Sequence, residues 1–201
     1  MKRIALTLAA LLLATTTAFA QTSSFVEGAW ATGGENGRNG GSKQNGLEVA
    51  GAWGISDNWY IGGALGRFDR KDVAENNYLN LNGGYAVKAA ENTTLNFEGG
   101  LWFGEETDDL TNIKTKPSAI EAKVGLTQSL SDKLSVFGTL SLVRADLDTD
   151  NKDDDLSNSI WTIGGAYNFT DLFSLNIKYG DGSNGVNGMT QVVRIGARFS
   201  F

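Results

Sequence analysis

The chain has 201 residues, 23 acidic against 17 basic, for a formal net charge of −6, with no cysteine and no histidine. An acidic balance argues against nucleic acid as a partner. The lack of cysteine leaves no disulfide framework, and the lack of histidine removes Ser-His-Asp hydrolysis, histidine-ligated zinc and the commonest general base.

The first predicted element is a targeting segment. Lys2 and Arg3 precede an apolar run from Ile4 to Ala14, and Ala18-Phe19-Ala20 forms a small-residue cleavage pattern. Residues 1–20 are therefore expected to be a secretory signal peptide, exported through the general secretory pathway, and 21–201 the folded domain. The apolar run is too short to span a bilayer comfortably. Removing Lys2 and Arg3 leaves the remainder still more acidic.

From Phe25 onward the chain alternates with period two, the mark of strands with two chemically different faces. Leu47, Val49, Gly51 and Trp53 share one face, and Glu48, Ala50, Ala52 and Gly54 the other. Further on, Leu95, Phe97, Gly99, Leu101 and Phe103 oppose Asn96, Glu98, Gly100 and Trp102. Strands are expected at about 25–32, 46–55, 59–68, 78–87, 94–104, 118–130, 134–145, 160–169, 173–180 and 189–201. Short connections at 56–58, 88–92, 131–133 and 170–172 alternate with long ones at 33–45, 69–77, 105–117, 146–159 and 181–188. Glycine is abundant at 26 residues and proline occurs once, at Pro117, which suits long strands with close backbone approach. The expected fold is all-β: a transmembrane antiparallel up-and-down β-barrel of ten strands, with eight as the alternative.

Trp53, Trp59, Tyr85, Phe169 and Phe173 flank the short turns on the apolar face, as an interfacial girdle would. The other face is small or polar, as in Gly62, Ala64 and Gly66, in Asn80, Asn82, Gly84 and Ala86, and in Thr162, Gly164, Ala166 and Asn168. That assigns the apolar face to lipid; a soluble periplasmic ligand-binding barrel would turn it inward. In the final stretch Ile195, Ala197, Phe199 and Phe201 face one way and Arg194, Gly196, Arg198 and Ser200 the other. This strand must pair with the first to leave no edge.

The closing residues "RIGARFSF" resemble the C-terminal signal by which outer-membrane assembly machinery recognises its clients, with Arg194, Gly196, Phe199 and Phe201 at the matching positions. With the leader and the hairpin repeat, the whole mature chain resembles the small outer-membrane β-barrel family of OmpA- and OmpX-like proteins. The resemblance implies the bacterial outer membrane as location, with outer-membrane lipid, lipopolysaccharide and the assembly machinery as partners. Members of that family usually have eight strands. Ten is closer to the omptin proteases, whose chemistry needs a histidine that this chain lacks.

Two constellations are candidates for function. Glu27, Glu48, Glu98 and Glu121 would share the lumen with Lys123, Lys178, Arg194 and Arg198. Paired, they would plug the cylinder; unpaired, they would line a narrow porin-like path for small solutes. Barrel closure is expected to bring Glu27 against Arg198. In the loop 146–159, Asp146, Asp148, Asp150, Asn151 and Asp154 match EF-hand positions 1, 3, 5, 6 and 9, but the glycine at position 6 is missing and Ser157 replaces the bidentate Glu. No tightly held cofactor is expected, only a weak calcium or magnesium site there or divalent bridging to lipopolysaccharide phosphates. The five long connections carry most of the acidic residues, so a non-enzymatic structural or surface-interaction role through acidic extracellular loops follows, with the extracellular partner itself unspecified.

Overall fold

The computed structural model describes residues 24–35, 43–70, 74–108, 114–149, 152–184 and 188–201; the expected signal peptide, residues 1–20, lies outside the described residues. Ten strands follow one another: β1 (Phe25–Glu35), β2 (Lys43–Gly54), β3 (Trp59–Arg70), β4 (Ala74–Ala90), β5 (Thr93–Asp108), β6 (Lys114–Ser129), β7 (Leu134–Thr149), β8 (Lys152–Asn168), β9 (Phe173–Asn184) and β10 (Gly188–Ser200). Each pairs antiparallel with its sequence neighbours, and β10 returns to β1, closing the barrel. Ten strands, not eight, are present.

Three of the tight turns share one construction. In Ser56-Asp57-Asn58-Trp59, Ser131-Asp132-Lys133-Leu134 and Thr170-Asp171-Leu172-Phe173, the amide of the fourth residue donates to the side-chain oxygen of the first, at 3.3, 3.1 and 3.0 Å. The preceding residue's amide donates to the carbonyl of that same fourth residue, from Ile55, Leu130 and Phe169, at 2.8, 2.8 and 3.0 Å. A serine or threonine followed by aspartate thus satisfies backbone donors that the reversal would leave open.

At the other end the strands run further than the alternation alone indicates. β4 to β8 are 16 or 17 residues long, whereas β1 to β3, β9 and β10 have 11 to 13, so one side of the barrel stands taller. The expected loops 105–117 and 146–159 are largely strand. Pro117, which the sequence places at a loop boundary, sits buried within β6. It pairs with Leu147 of β7, while the ladder to β5 is interrupted between Phe103↔Ser118 and Glu106↔Thr115, where proline has no N–H to give.

Outside, the barrel is apolar. Leu47 is 67% and Leu142 62% exposed, and Val49, Leu65, Ile120, Leu140, Ile163, Ile177 and Ile195 join them in a continuous belt. A surface of this kind is stable only against hydrocarbon. The aromatic girdle lies at the short-turn end, where Trp59 meets Tyr85 at 4.9 Å, Phe169 meets Phe173 at 5.8 Å and Trp53 meets Phe201 at 5.9 Å. The Phe201 amide donates to the Ser24 carbonyl at 2.9 Å, so the last residue is tied into the seam.

Inside, glycines give large rings room to cross. Gly66 of β3 lies between Glu48 of β2 and Tyr78 of β4, and a Cβ built there would run into the Tyr78 ring. Gly84 of β4 lies beneath Tyr60 in the same manner, and Gly164 of β8 beneath Phe137. Gly66→Ala is accordingly expected to destabilise the barrel by about 1–3 kcal/mol. Gly28→Ala, on the outer face with no atom within 4 Å of the added carbon, should be near neutral. Urea unfolding of the detergent-held protein, read by unheated gel mobility, compares the two; equal effects would remove the crossing argument.

Candidate functional site: the barrel lumen

All eight charges singled out from the sequence point inward and are buried. Glu27, 1% exposed, accepts from Lys178 Nζ at 2.7 Å and from Arg198 Nε and an NH2 nitrogen at 2.9 and 2.6 Å. Arg198 is its direct neighbour across the β1–β10 seam, while Lys178 reaches over β10 from β9. That reach depends on Gly196, because a Cβ there would stand 3.0 Å from both Glu27 Oε1 and Asn176 Oδ1. The glycine of the C-terminal signal pattern therefore also makes space for the ion pair.

The second group crosses β1 in the same way. Arg194 approaches Glu48 at 3.4 Å, passing the small side chains of Ala29 and Ala31. Glu48 also accepts from the Tyr78 hydroxyl, which spans Gly66 to reach it. In the third group Lys123 Nζ donates to Glu98 at 2.9 Å across the β5–β6 ladder and lies 4.0 Å from Glu121. The Trp102 indole N–H donates to Glu121 at 2.9 Å. Each carboxylate thus faces a cation or a strong donor, the condition under which charges persist in a buried setting.

Beyond these charges, towards the long-loop end, the lumen turns apolar. Phe68, Tyr78 and Trp102 run side by side, with ring centroids 6.0 and 5.4 Å apart, and pack into one buried cluster with Ala31, Ala50, Ala64, Ala119, Val143, Ala145, Ile160 and Val192. Sequence reasoning placed Trp102 on the inward face but missed Tyr60 and Tyr78. Their parity within β3 and β4 was the available signal, since Tyr60 alternates in step with Gly62, Ala64 and Gly66, and Tyr78 with Asn80 and Asn82. Together the apolar cluster and the ion pairs occupy inward positions along the lumen.

Towards the short-turn end the lumen opens into a cavity of about 570 Å³. Thr94, Thr127, Ser135, Ser174 and Asn168 line it, with Arg198 among the lining groups. We refer to it as the vestibule.

The acidic stretch is not a single loop. Asp146 and Asp148 fall on β7 and Asp154 on β8, Asp146 opposite Asp155 and Asp148 opposite Asp153, while Asp150 lies outside the described residues. No group of three potential metal ligands occurs among the described residues. Two ion pairs near the long-loop end are exposed, Arg67 of β3 with Glu75 of β4 at 2.6 Å and Lys114 of β6 with Glu105 of β5 at 2.9 Å. The Lys114 hydrogen bond and charge hold the Glu105 carboxyl below the usual carboxylate range.

Glu27→Ala would leave Lys178 and Arg198 without their shared carboxylate and should destabilise the barrel by about 3–5 kcal/mol. Replacing Glu98 and Glu121 by Gln together with Lys123 by Met removes that group of charges whole and should cost much less. Urea midpoints compare them, and equal losses would show that charge pairing is not what the lumen depends on.

No protein-family model matches the chain, and no curated protein does. Solved structures do resemble it in fold. An outer-membrane channel from Pseudomonas putida F1 aligns with 93% of this chain and 100% of its own, at 9% identity and a TM-score of 0.62. The beta domain of the Bordetella autotransporter Brka aligns with 89% and 100%, at 12% identity and 0.55. The translocator domain of the autotransporter NalP from Neisseria meningitidis aligns with 100% and 95%, at 14% identity and 0.51. The chain shares with them the closed, membrane-spanning antiparallel β-barrel.

Proposed function

We propose that the chain is a non-enzymatic protein of the bacterial outer membrane, a barrel closed along its bore that carries an acidic rim at the cell surface for contact with an extracellular partner. The observation that supports this reading is the burial, inside the barrel, of paired charges and of the Phe68, Tyr78 and Trp102 rings. On this reading the short turns face the periplasm and the tall wall of β4 to β8 faces outward, as in barrels with tight periplasmic turns and long outer loops. Export through the secretory pathway, recognition of Arg194, Gly196, Phe199 and Phe201 by the assembly machinery, and kinship with the OmpA- and OmpX-like barrels belong to the same proposal.

Lipopolysaccharide suits the outer face. A groove of about 580 Å³ runs over Ala122 between Ile120 and Leu142, with Arg144, Ser157 and Ser159 at its upper side, apolar walls below a cation and two hydroxyls. Weak calcium or magnesium bridging between the aspartates of the β7–β8 hairpin and lipid phosphates fits the same arrangement.

Single-channel recording tests closure. Wild-type protein in a planar bilayer should give a flat baseline, and Glu98→Ala with Lys123→Ala should stay flat because the ring layer remains. Regular unitary steps that these substitutions alter would favour a narrow porin-like channel instead. Fractionation tests placement: heat-modifiable protein in the outer membrane, with assembly impaired by Phe201→Ala, is expected. Recovery in the soluble periplasm would favour a ligand-binding barrel.

A further inference from the structure

The vestibule presents charge of opposite sign at its two ends. Arg198, 4% exposed, is the charged group of its buried wall, and the carboxylate beside it serves two cations at once. Glu27 Oε1 accepts from Lys178 at 2.7 Å, while Oε2 accepts from Arg198 at 2.9 and 2.6 Å. That trio therefore carries one positive charge more than it balances. The other lumen cations, Lys123 and Arg194, stand further in, past Thr127 along β6 and past Arg198 along β10.

The mouth has the other sign. Glu91 of the β4–β5 turn, Asp132 of the β6–β7 turn and Asp171 of the β8–β9 turn are exposed lining groups from three sides of the cylinder, and they outnumber Lys88. Between the two ends, the buried side chains of Thr94, Thr127, Ser135 and Ser174 line the wall with hydroxyls, which both donate and accept. The ladder sets the depth. Arg198 pairs with Ser174 of β9, and from Ser174 back to Asp171 is about 10 Å of extended chain. A buried cation thus faces exposed carboxylates across a polar wall of roughly that length.

We propose that the vestibule binds a short peptide with free termini, its carboxylate against Arg198 and its ammonium among the carboxylates of the mouth. A simple anion is opposed at the mouth and a simple cation at the inner end, whereas a solute with both charges, well separated, is favoured by both. An extended chain of about three residues spans about 10 Å, the depth of the wall, while a single amino acid holds its two charges too close together to reach both ends. Guanidinium is suited to a carboxylate in a buried setting. Peptide groups donate and accept in turn, as the hydroxyl wall does. A cavity of about 570 Å³ is of small-molecule size. The site opens at the short-turn end, so its occupation does not depend on whether the bore conducts.

The test uses the full protein purified from membranes into an uncharged detergent, with trialanine, N-acetyl-trialanine and trialanine amide as probes in saturation-transfer NMR titrations. Saturable binding of trialanine is expected, with each capped form about tenfold weaker for the loss of one charge contact. Arg198→Gln leaves Glu27 and Lys178 as a balanced pair, and should bind trialanine no more tightly than its amide while unheated gel mobility stays that of the folded barrel. Should that variant fail to fold, Glu91→Gln with Asp132→Asn and Asp171→Asn, all at exposed positions, carries the test and should erase the preference for trialanine over its acetylated form. Absence of saturable trialanine binding by the wild type overturns the proposal. Equal binding of either capped form by the wild type does so too, as does a preference that survives in the folded variant designed to remove it. A barrel that binds no peptide can still be electrically closed, so this failure is distinct from failure of the proposed function.

Discussion

Glu27 is where the two ends of the chain are joined electrostatically as well as by backbone. It stands on the first strand, and its partners come from the last two, Arg198 beside it and Lys178 one strand further on. A closed barrel has no edge to fray, but closure brings inward-facing groups from distant sequence into a medium where an unmatched charge is intolerable. The register of the seam is therefore fixed twice. A slip of two residues would keep the apolar face outward yet take Arg198 away from Glu27, whereas the ladder alone would permit it. The other ion pairs are organised by the same logic, each tying strands whose relative register the hydrogen bonds leave open to a shift.

Those pairs are possible only because small residues lie beneath them. Gly66, Gly84, Gly164 and Gly196, with Ala29 and Ala31, each occupy an inward position between two larger groups that need to meet or pass. In an ordinary sheet a glycine weakens the strand. Inside a narrow cylinder it removes the obstacle between side chains two strands apart, and the ring laid over it restores the lost packing. The high glycine content is thus part of how large side chains fit inside the lumen, and the adjoining rings of Phe68, Tyr78 and Trp102 are its outcome.

Fold class, strand number and the two faces were legible in the sequence because alternation is a local property: Leu47, Val49 and Trp53 against Glu48 and Ala50 settle the sidedness of β2 without reference to anything distant. The inward charges were legible for the same reason. Pairing is different, since it depends on register between strands. Glu27 with Arg198 could be anticipated only because termini must meet at the seam, whereas the reach of Lys178 over Gly196, or of Tyr78 over Gly66, needs the full set of ladders. The ends of the strands were the least legible. "ADLDTD" alternates as well as any strand, but its aspartates look like a loop when each residue is weighed for polarity alone, and Pro117 looks like a boundary until the missing ladder bonds to β5 show how it is accommodated.

The two ends of the cylinder follow different rules. At the short-turn end, serine and threonine side chains satisfy the turns and line the vestibule, so one residue class provides both tight reversals and an adaptable polar wall. At the other end the ladders set Asp146 opposite Asp155, and Asp148 opposite Asp153 on one side and Lys116 on the other. Among the described residues, 152–157 of β8 pair with β7 alone, since the ladder to β9 starts at Asn158. An open strand edge is a template for another strand, and carboxylates along it repel that approach.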